Sequence, residues 1–174
     1  MKEIHMTQGY KALVDDEDYD FLMQWKWRAV KRPHNSGHIY ARRVVRKKIN
    51  GKITEKTIWM HRFILNVPSG MLVDHANGNG LDNRRSNIRI CNFAQNSRNR
   101  KRHSNKPGVY KGVYVAERAT GIRYRSQIFF NGKSIEVGAF ATEIEAARAY
   151  DAAARKYFGE FAWLNFPPEA PNGR

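Results

Sequence analysis

A single cysteine, Cys91, occurs in the 174-residue chain. One thiol closes no internal disulfide and supplies no paired-cysteine zinc site. Long apolar runs are also missing. None approaches the roughly 20 residues that a membrane-spanning helix needs. The opening Met1-Lys2-Glu3-Ile4-His5 lacks a signal-peptide apolar core. These absences lead to the expectation of a cytoplasmic chain with no membrane partner. Acid is scarce as well: 31 Lys and Arg face 16 Asp and Glu, a net charge of +15. Between Asp82 and Glu117 there is no carboxylate, while Arg84, Arg85, Arg89, Arg98, Arg100, Lys101, Arg102, Lys106 and Lys111 crowd the interval. Such a stretch is either a solvated charged face or a surface for phosphate; its length favours phosphate. The 41% hydrophobic content is enough for folding.

Turn signals divide what is there. Asn50-Gly51 stands between β-prone runs over 39–49 and 52–60, and Asn131-Gly132 between runs over 122–130 and 133–137. Both pairs predict two-residue hairpin turns, which need positive φ at both central positions. A short helix is expected over 18–25 and a longer, alanine-rich one over 143–157. Thr142 and Glu145 form a capping box before that longer helix and Gly159 stops it. No internal repeat or low-complexity tract occurs. Residues 104–109, polar and broken by Pro107 and Gly108, read as a linker between units at 1–103 and 110–168. The expected fold class is α+β: a β-rich N-terminal unit, then a three-stranded antiparallel sheet packed on one helix.

The chemistry concentrates between Val73 and Asn99. Strands are predicted over 71–75 and 87–91, a turn rich in Asn, Gly and Asp between them, and a helix over 93–101 with Asn96 and Asn99 on one face. That order can gather Asp74, His75 and Asn96. A carboxylate and an amide oxygen suit magnesium or manganese. A neutral histidine can take a proton from water. Phosphodiester hydrolysis asks for both.

Through Asp74-His75, Asn79, Asp82-Asn83-Arg84, Asn87, Arg89, Asn96 and Asn99, the segment resembles the HNH nuclease motif (60–100 with its lead-in), in the phage and intron-associated homing branch. The resemblance implies a ββα-metal fold, with Asp74 and Asn96 on a divalent magnesium or manganese ion and His75 as general base. It also implies that Asn87 braces the metal loop. His61, in the lead-in Met60-His61-Arg62, would support the site or assist the leaving group. Arg84 and Arg98 are expected at DNA. The histidines at 5, 34, 38 and 103 are read as surface or packing residues, and Trp25, Trp27 and Trp59 as core.

Alternation along Arg123–Phe130 sets one face for the helix and the other for solvent or DNA. Lys111, Tyr114, Arg123, Arg125 and Gln127 make that second face basic and aromatic. Tyr110-Lys111-Gly112-Val113, Val137-Gly138-Ala139-Phe140, the run 145–154 and Leu164-Asn165-Phe166-Pro167 resemble the apetala-two/ethylene-response-factor domain. That family reads duplex DNA with its sheet. Its scaffold is matched better than its contacts: Lys111 and Tyr114 stand where arginine is common, and Glu136 where tryptophan is.

The expected activity is therefore HNH-type hydrolysis of duplex DNA by a monomer or weak dimer that nicks once per binding event, with no protein partner evident. A non-cleaving sequence-specific DNA-binding regulator is the alternative; the intact Asp74, His75 and Asn96 weigh against it. An RNA-binding role is weaker, for no paired stacking aromatics of an RNA module occur. Arg42, Arg43, Arg46, Lys47 and Lys48 in the β-rich leader either touch phosphate or are simply exposed.

Overall fold

A computed structural model describes residues 1–31, 37–100, 110–118 and 121–167. The protein is a mixed α and β chain, rich in strands and with few helices. It divides into two compact units, Met1–Asn96 and Ser97–Arg174. The expected linker at 104–109, and the histidines at 34 and 103, lie outside the described residues.

In the first unit, β1 (Lys2–His5) and β2 (Lys11–Val14) pair antiparallel, and α1 (Asp16–Leu22) follows. Asp16, Glu17 and Asp18 occupy the first turn of α1, where the helix dipole favours acid. β3 (Arg28–Lys31), β4 (Ile39–Ile49) and β5 (Lys52–Trp59) form an antiparallel sheet with β4 central. Asn50 (φ 49°) and Gly51 (φ 77°) make the β4–β5 turn, so the asparagine–glycine signal sets the register. The short helix α2 (Met60–Ile64) leads to the hairpin β6 (Leu72–His75) and β7 (Ile88–Cys91). Ile4, Ala12, Val14, Leu22, Trp27, Ala41 and Met60 form the core, with Trp25 packed at its edge. Trp59 instead stacks over the His61 ring.

The helix α3 spans Phe93–Arg98, shorter than the 93–101 expected. Asn92 and Gln95 cap its start reciprocally: the Gln95 amide donates to Asn92 Oδ1 at 2.9 Å, and the Asn92 amide to Gln95 Oε1 at 2.8 Å.

In the second unit, β8 (Val113–Arg118), β9 (Gly121–Phe130) and β10 (Lys133–Phe140) form an antiparallel sheet with β9 central. The helix α4 (Glu143–Phe158) covers one face. The capping box at Thr142 and Glu145 is present. Ala146, Ala147 and Ala154 are fully buried, so α4 lies close to the strands. Tyr124, Ser126, Ile128 and Phe130 face it, as the alternation predicts. β10 runs on past Val137 to Phe140 because the register shifts between Glu136 and Gly138; a bulge there absorbs one residue. Asp151 on α4 accepts from the Asn165 and Phe166 amides, both at 2.8 Å, and so pins the segment after α4 to the helix.

Candidate active site

β6 ends in the adjacent pair Asp74 and His75, both about 6% exposed. Register places Asp74 opposite Arg89 on β7. Arg89 donates to Asp74 Oδ2 through Nε at 2.9 Å and through a terminal nitrogen at 2.6 Å. A cross-strand ion pair therefore holds the carboxylate in place.

The loop from Ala76 to Asn87 is tied by its own side chains. Asn87 Nδ2 donates to the Asp82 carbonyl at 2.7 Å, and Asn87 Oδ1 accepts from the Asn77 amide at 3.0 Å. Asp82, 1% exposed, accepts from Asn77 Nδ2 and from Arg84 Nε, both at 2.8 Å. The Arg84 hydrogen bond and charge keep the Asp82 carboxyl below the usual carboxylate range. The loop is also stitched to β2: the Leu13 amide donates to the Leu81 carbonyl at 2.9 Å, and the Asn83 amide to the Leu13 carbonyl at 2.8 Å. Gly80 lies against β4, where an added Cβ would stand 2.5 Å from the Ile39 carbonyl and 2.6 Å from the Tyr40 ring.

Four rings meet at this point. The His61 and His75 imidazoles stand edge-to-face with centroids 5.1 Å apart. Tyr40 lies 5.7 Å from each, and Trp59 stacks on His61 at 6.2 Å. Burial drives the His75 pKa down to about 4, against the opposing pull of the Asn83 side chain and the Asp74 and Asp82 charges. His75 is therefore neutral at physiological pH. His38, 6.4 Å from Tyr40 by ring centroids, adds to the lowering.

Asp74, His75, His61 and Asn87 thus sit on or beside one hairpin and loop. Asn96 is half-buried on α3, shortly after β7. Among the described residues no group of three or more His, Cys, Asp or Glu is placed to hold a metal ion. A carboxylate and an amide oxygen, the groups that Asp74 and Asn96 carry, suit a hard divalent cation completed by water or phosphate. Sequence reasoning missed Tyr40, the Arg89 clamp on Asp74 and the Asn83 approach to His75. The motif spacing names Arg89 and Asn83 without their roles, and nothing local marks Tyr40.

The residues expected at DNA are placed unequally. Arg84 is bound to Asp82. In the second unit, the Arg98 guanidinium lies 5.1 Å from the Phe130 ring centroid and 5.3 Å from that of Phe158. Lys111 departs from the expected face. It precedes β8, and its ammonium donates to the Arg98 and Arg100 carbonyls at 2.7 Å each, with burial lowering its pKa to about 8. Tyr114, Arg123, Arg125 and Gln127 do share the face away from α4. On it Arg125 pairs with Glu136, and Gln127 hydrogen-bonds Ser134.

Residues 66–98 match the family model described as HNH endonuclease. An HNH endonuclease of Acanthamoeba polyphaga mimivirus is 38% identical over 112 residues, covering 61% of this chain and 56% of that protein. Arabidopsis thaliana dehydration-responsive element-binding protein 2E is 41% identical over 63 residues, 36% of this chain and 26% of that protein. An AP2-like ethylene-responsive transcription factor of the same plant is 38% identical over 72 residues, 36% of this chain and 14% of that protein. The chain is thus similar to an HNH endonuclease and, in part, to AP2-type DNA-binding factors. It spans little more than half of the first relative and far less of the other two. No solved structure matches. No helix among the described residues is long and apolar enough to cross a membrane.

Proposed function

We propose that the chain is a divalent-metal-dependent DNA endonuclease of the HNH type, with His75 as general base. Its first unit would cut and its second would grip duplex DNA. The observation that carries this reading is the buried Asp74-His75 pair, held by Arg89, packed against His61 and set beside a loop that Asn87 braces. The ββα-metal motif would be β6, β7 and α3.

Asp74 and Asn96 would hold the metal. When bound, that ion supplies positive charge for the phosphorane-like transition state. His75, neutral through burial, takes a proton from the attacking water. A pKa near 4 makes a weak acceptor, and an approaching phosphate anion raises it by favouring the charged imidazolium. Tyr40 and His61 fix the His75 ring by packing. His61, beside His75, would support the site or help the leaving oxygen. In the second unit, Tyr114, Arg123, Arg125 and Gln127 present a sheet face of the kind that enters a DNA groove.

Nicking of supercoiled plasmid with magnesium, manganese or chelator tests the reading. His75→Ala should lower the rate by roughly 10²–10⁴-fold, the usual worth of a general base, while gel-shift affinity stays near that of the native chain. Asp74→Ala and Asn96→Ala should shift the magnesium dependence of the rate. Full cleavage by His75→Ala would overturn the assigned base. Tight binding without nicking in either metal would leave a DNA-binding regulator.

A further inference from the structure

Outside this site, the sheet of the first unit carries a pocket lined by Lys26, Arg28, Arg42, Arg43, Val44 and Arg46, with no carboxylate in its lining. Register brings two of these cations face to face. Arg28 stands directly opposite Arg42, and like charges facing each other across an antiparallel pair destabilise it. Arg43 is occupied by the aromatic surface, its guanidinium 4.3 Å from the Trp25 ring centroid. Arg46 is held by Glu55 at 2.7 Å. Lys26, Arg28 and Arg42 have no ion pair among the described residues. A repulsion that folding leaves uncompensated is relieved by an anion shared between the cations.

Position identifies the anion's class. On β4, Tyr40, Arg42, Val44 and Arg46 point to one face. Tyr40 is the ring that meets both His61 and His75. Arg42 lies two residues further, about 7 Å along the strand, and its partner on β5 is Trp59, which stacks on His61. The cations thus begin one pleat from the candidate site. Beyond them the hairpin continues as a ribbon exposed over 46–57, with Lys47, Lys48, Lys52 and Lys56 on it and Glu55 as its only acid. A two-stranded ribbon is marginal by itself, and one of this width fits a DNA groove.

We infer that Lys26, Arg28 and Arg42 seat a backbone phosphate of duplex DNA, and that the β4–β5 ribbon extends this contact along the same duplex. The inference rests on the endonuclease reading, since it supplies a second grip within the cutting unit itself. The test is the salt dependence of duplex binding by the full chain, measured by fluorescence anisotropy. Each phosphate contact contributes about 0.9 to the slope of log Kobs against log salt concentration. Arg28→Ala with Arg42→Ala should lower that slope by about 1 and weaken binding about tenfold or more at moderate salt. Arg28→Lys with Arg42→Lys, which keeps the charge, should retain the native slope. Should the double alanine variant fail to fold, exposed Lys26→Ala is expected to lower the slope by a smaller amount. An unchanged slope in the alanine variants overturns the seat, and so does equal loss in the lysine variant. Plasmid nicking by the native chain is read separately. Nicking with an unchanged slope sinks the seat alone. A lowered slope without nicking sinks the endonuclease reading and leaves the seat.

Discussion

The two units solve the same problem with different materials. The second packs Ile128, Tyr150, Ala154 and Phe158 between one sheet and one helix, and uses Asp151 to fasten the segment that follows. The first has a hydrophobic core of its own, but its loop over 76–87 is shaped by amides and carboxylates: Asn77, Asp82, Arg84 and Asn87 hold one another. Apolar packing tolerates change of shape within limits, whereas a buried polar network fixes positions and fails when one member is lost. Precise placement of a reacting group calls for the second kind; a rigid gripping surface can be made with the first.

Both units also set a glycine against a tyrosine ring, which gives the sharpest way to break the comparison. At Gly112 the φ is +75°, and an added Cβ would stand 2.0 Å from the buried Tyr150 ring. Gly112→Ala should destabilise the second unit by about 3 kcal/mol or more, since overpacking and positive φ add; urea unfolding would measure it, with loss of duplex affinity. Gly80→Ala should instead displace Tyr40 and lower nicking more than it lowers the unfolding midpoint. If both variants lose stability equally and nicking tracks stability, the contrast falls.

Next in size is Asp82→Ala. It leaves Arg84 and Asn77 without their acceptor, at about 2–3 kcal/mol after allowing for the partial exposure of Arg84. Thermal melts read the stability and plasmid nicking reads the site. An effect below about 0.5 kcal/mol would show that the loop does not depend on this network.

Smaller effects come from pH, with the same sign in the two units but in separate pH windows. His75 titrates near 4 in the folded chain and near 6.5 unfolded. Between those values the unfolded chain holds the extra proton, so the first unit loses stability as pH falls from 6.5 towards 4. Lys111 titrates near 8 folded and near 10.5 unfolded, so the second unit gains stability as pH rises from 8. His75→Gln and Lys111→Met should each flatten the corresponding slope in urea midpoints taken across pH. The smallest expected signal is at Cys91, fully buried and with its thiol pushed up to about 11. A thiol reagent at pH 8 should find almost nothing until denaturant is added.

Much of the fold was written locally. The asparagine–glycine turns, the capping box at Thr142 and the alternation along 123–130 each depend on residues a few positions apart, and the structure follows them. The shortened α3 and the bulge in β10 depend on partners elsewhere in the chain, so no window of sequence contains them. The same division holds at the candidate site. Motif spacing singles out Asp74, His75, Asn87 and His61, and the fold places them around one hairpin and loop. Tyr40 reaches them from a strand some thirty positions upstream, through a register that no local signal states. Lys111 illustrates the opposite failure: a cation read as outward from its neighbours is turned to two carbonyls by tertiary contacts.

The stitch between Leu13 and the 81–83 segment bears on how such a chain could be recombined. The stretch matched by the family model starts at residue 66, yet the backbone that keeps its loop open belongs to β2, near the beginning. A graft cut at the motif's edges would arrive with two hydrogen bonds severed and its scaffolding left behind. Exchange between lineages, or transplantation at the bench, has to carry the opening strands along with the motif.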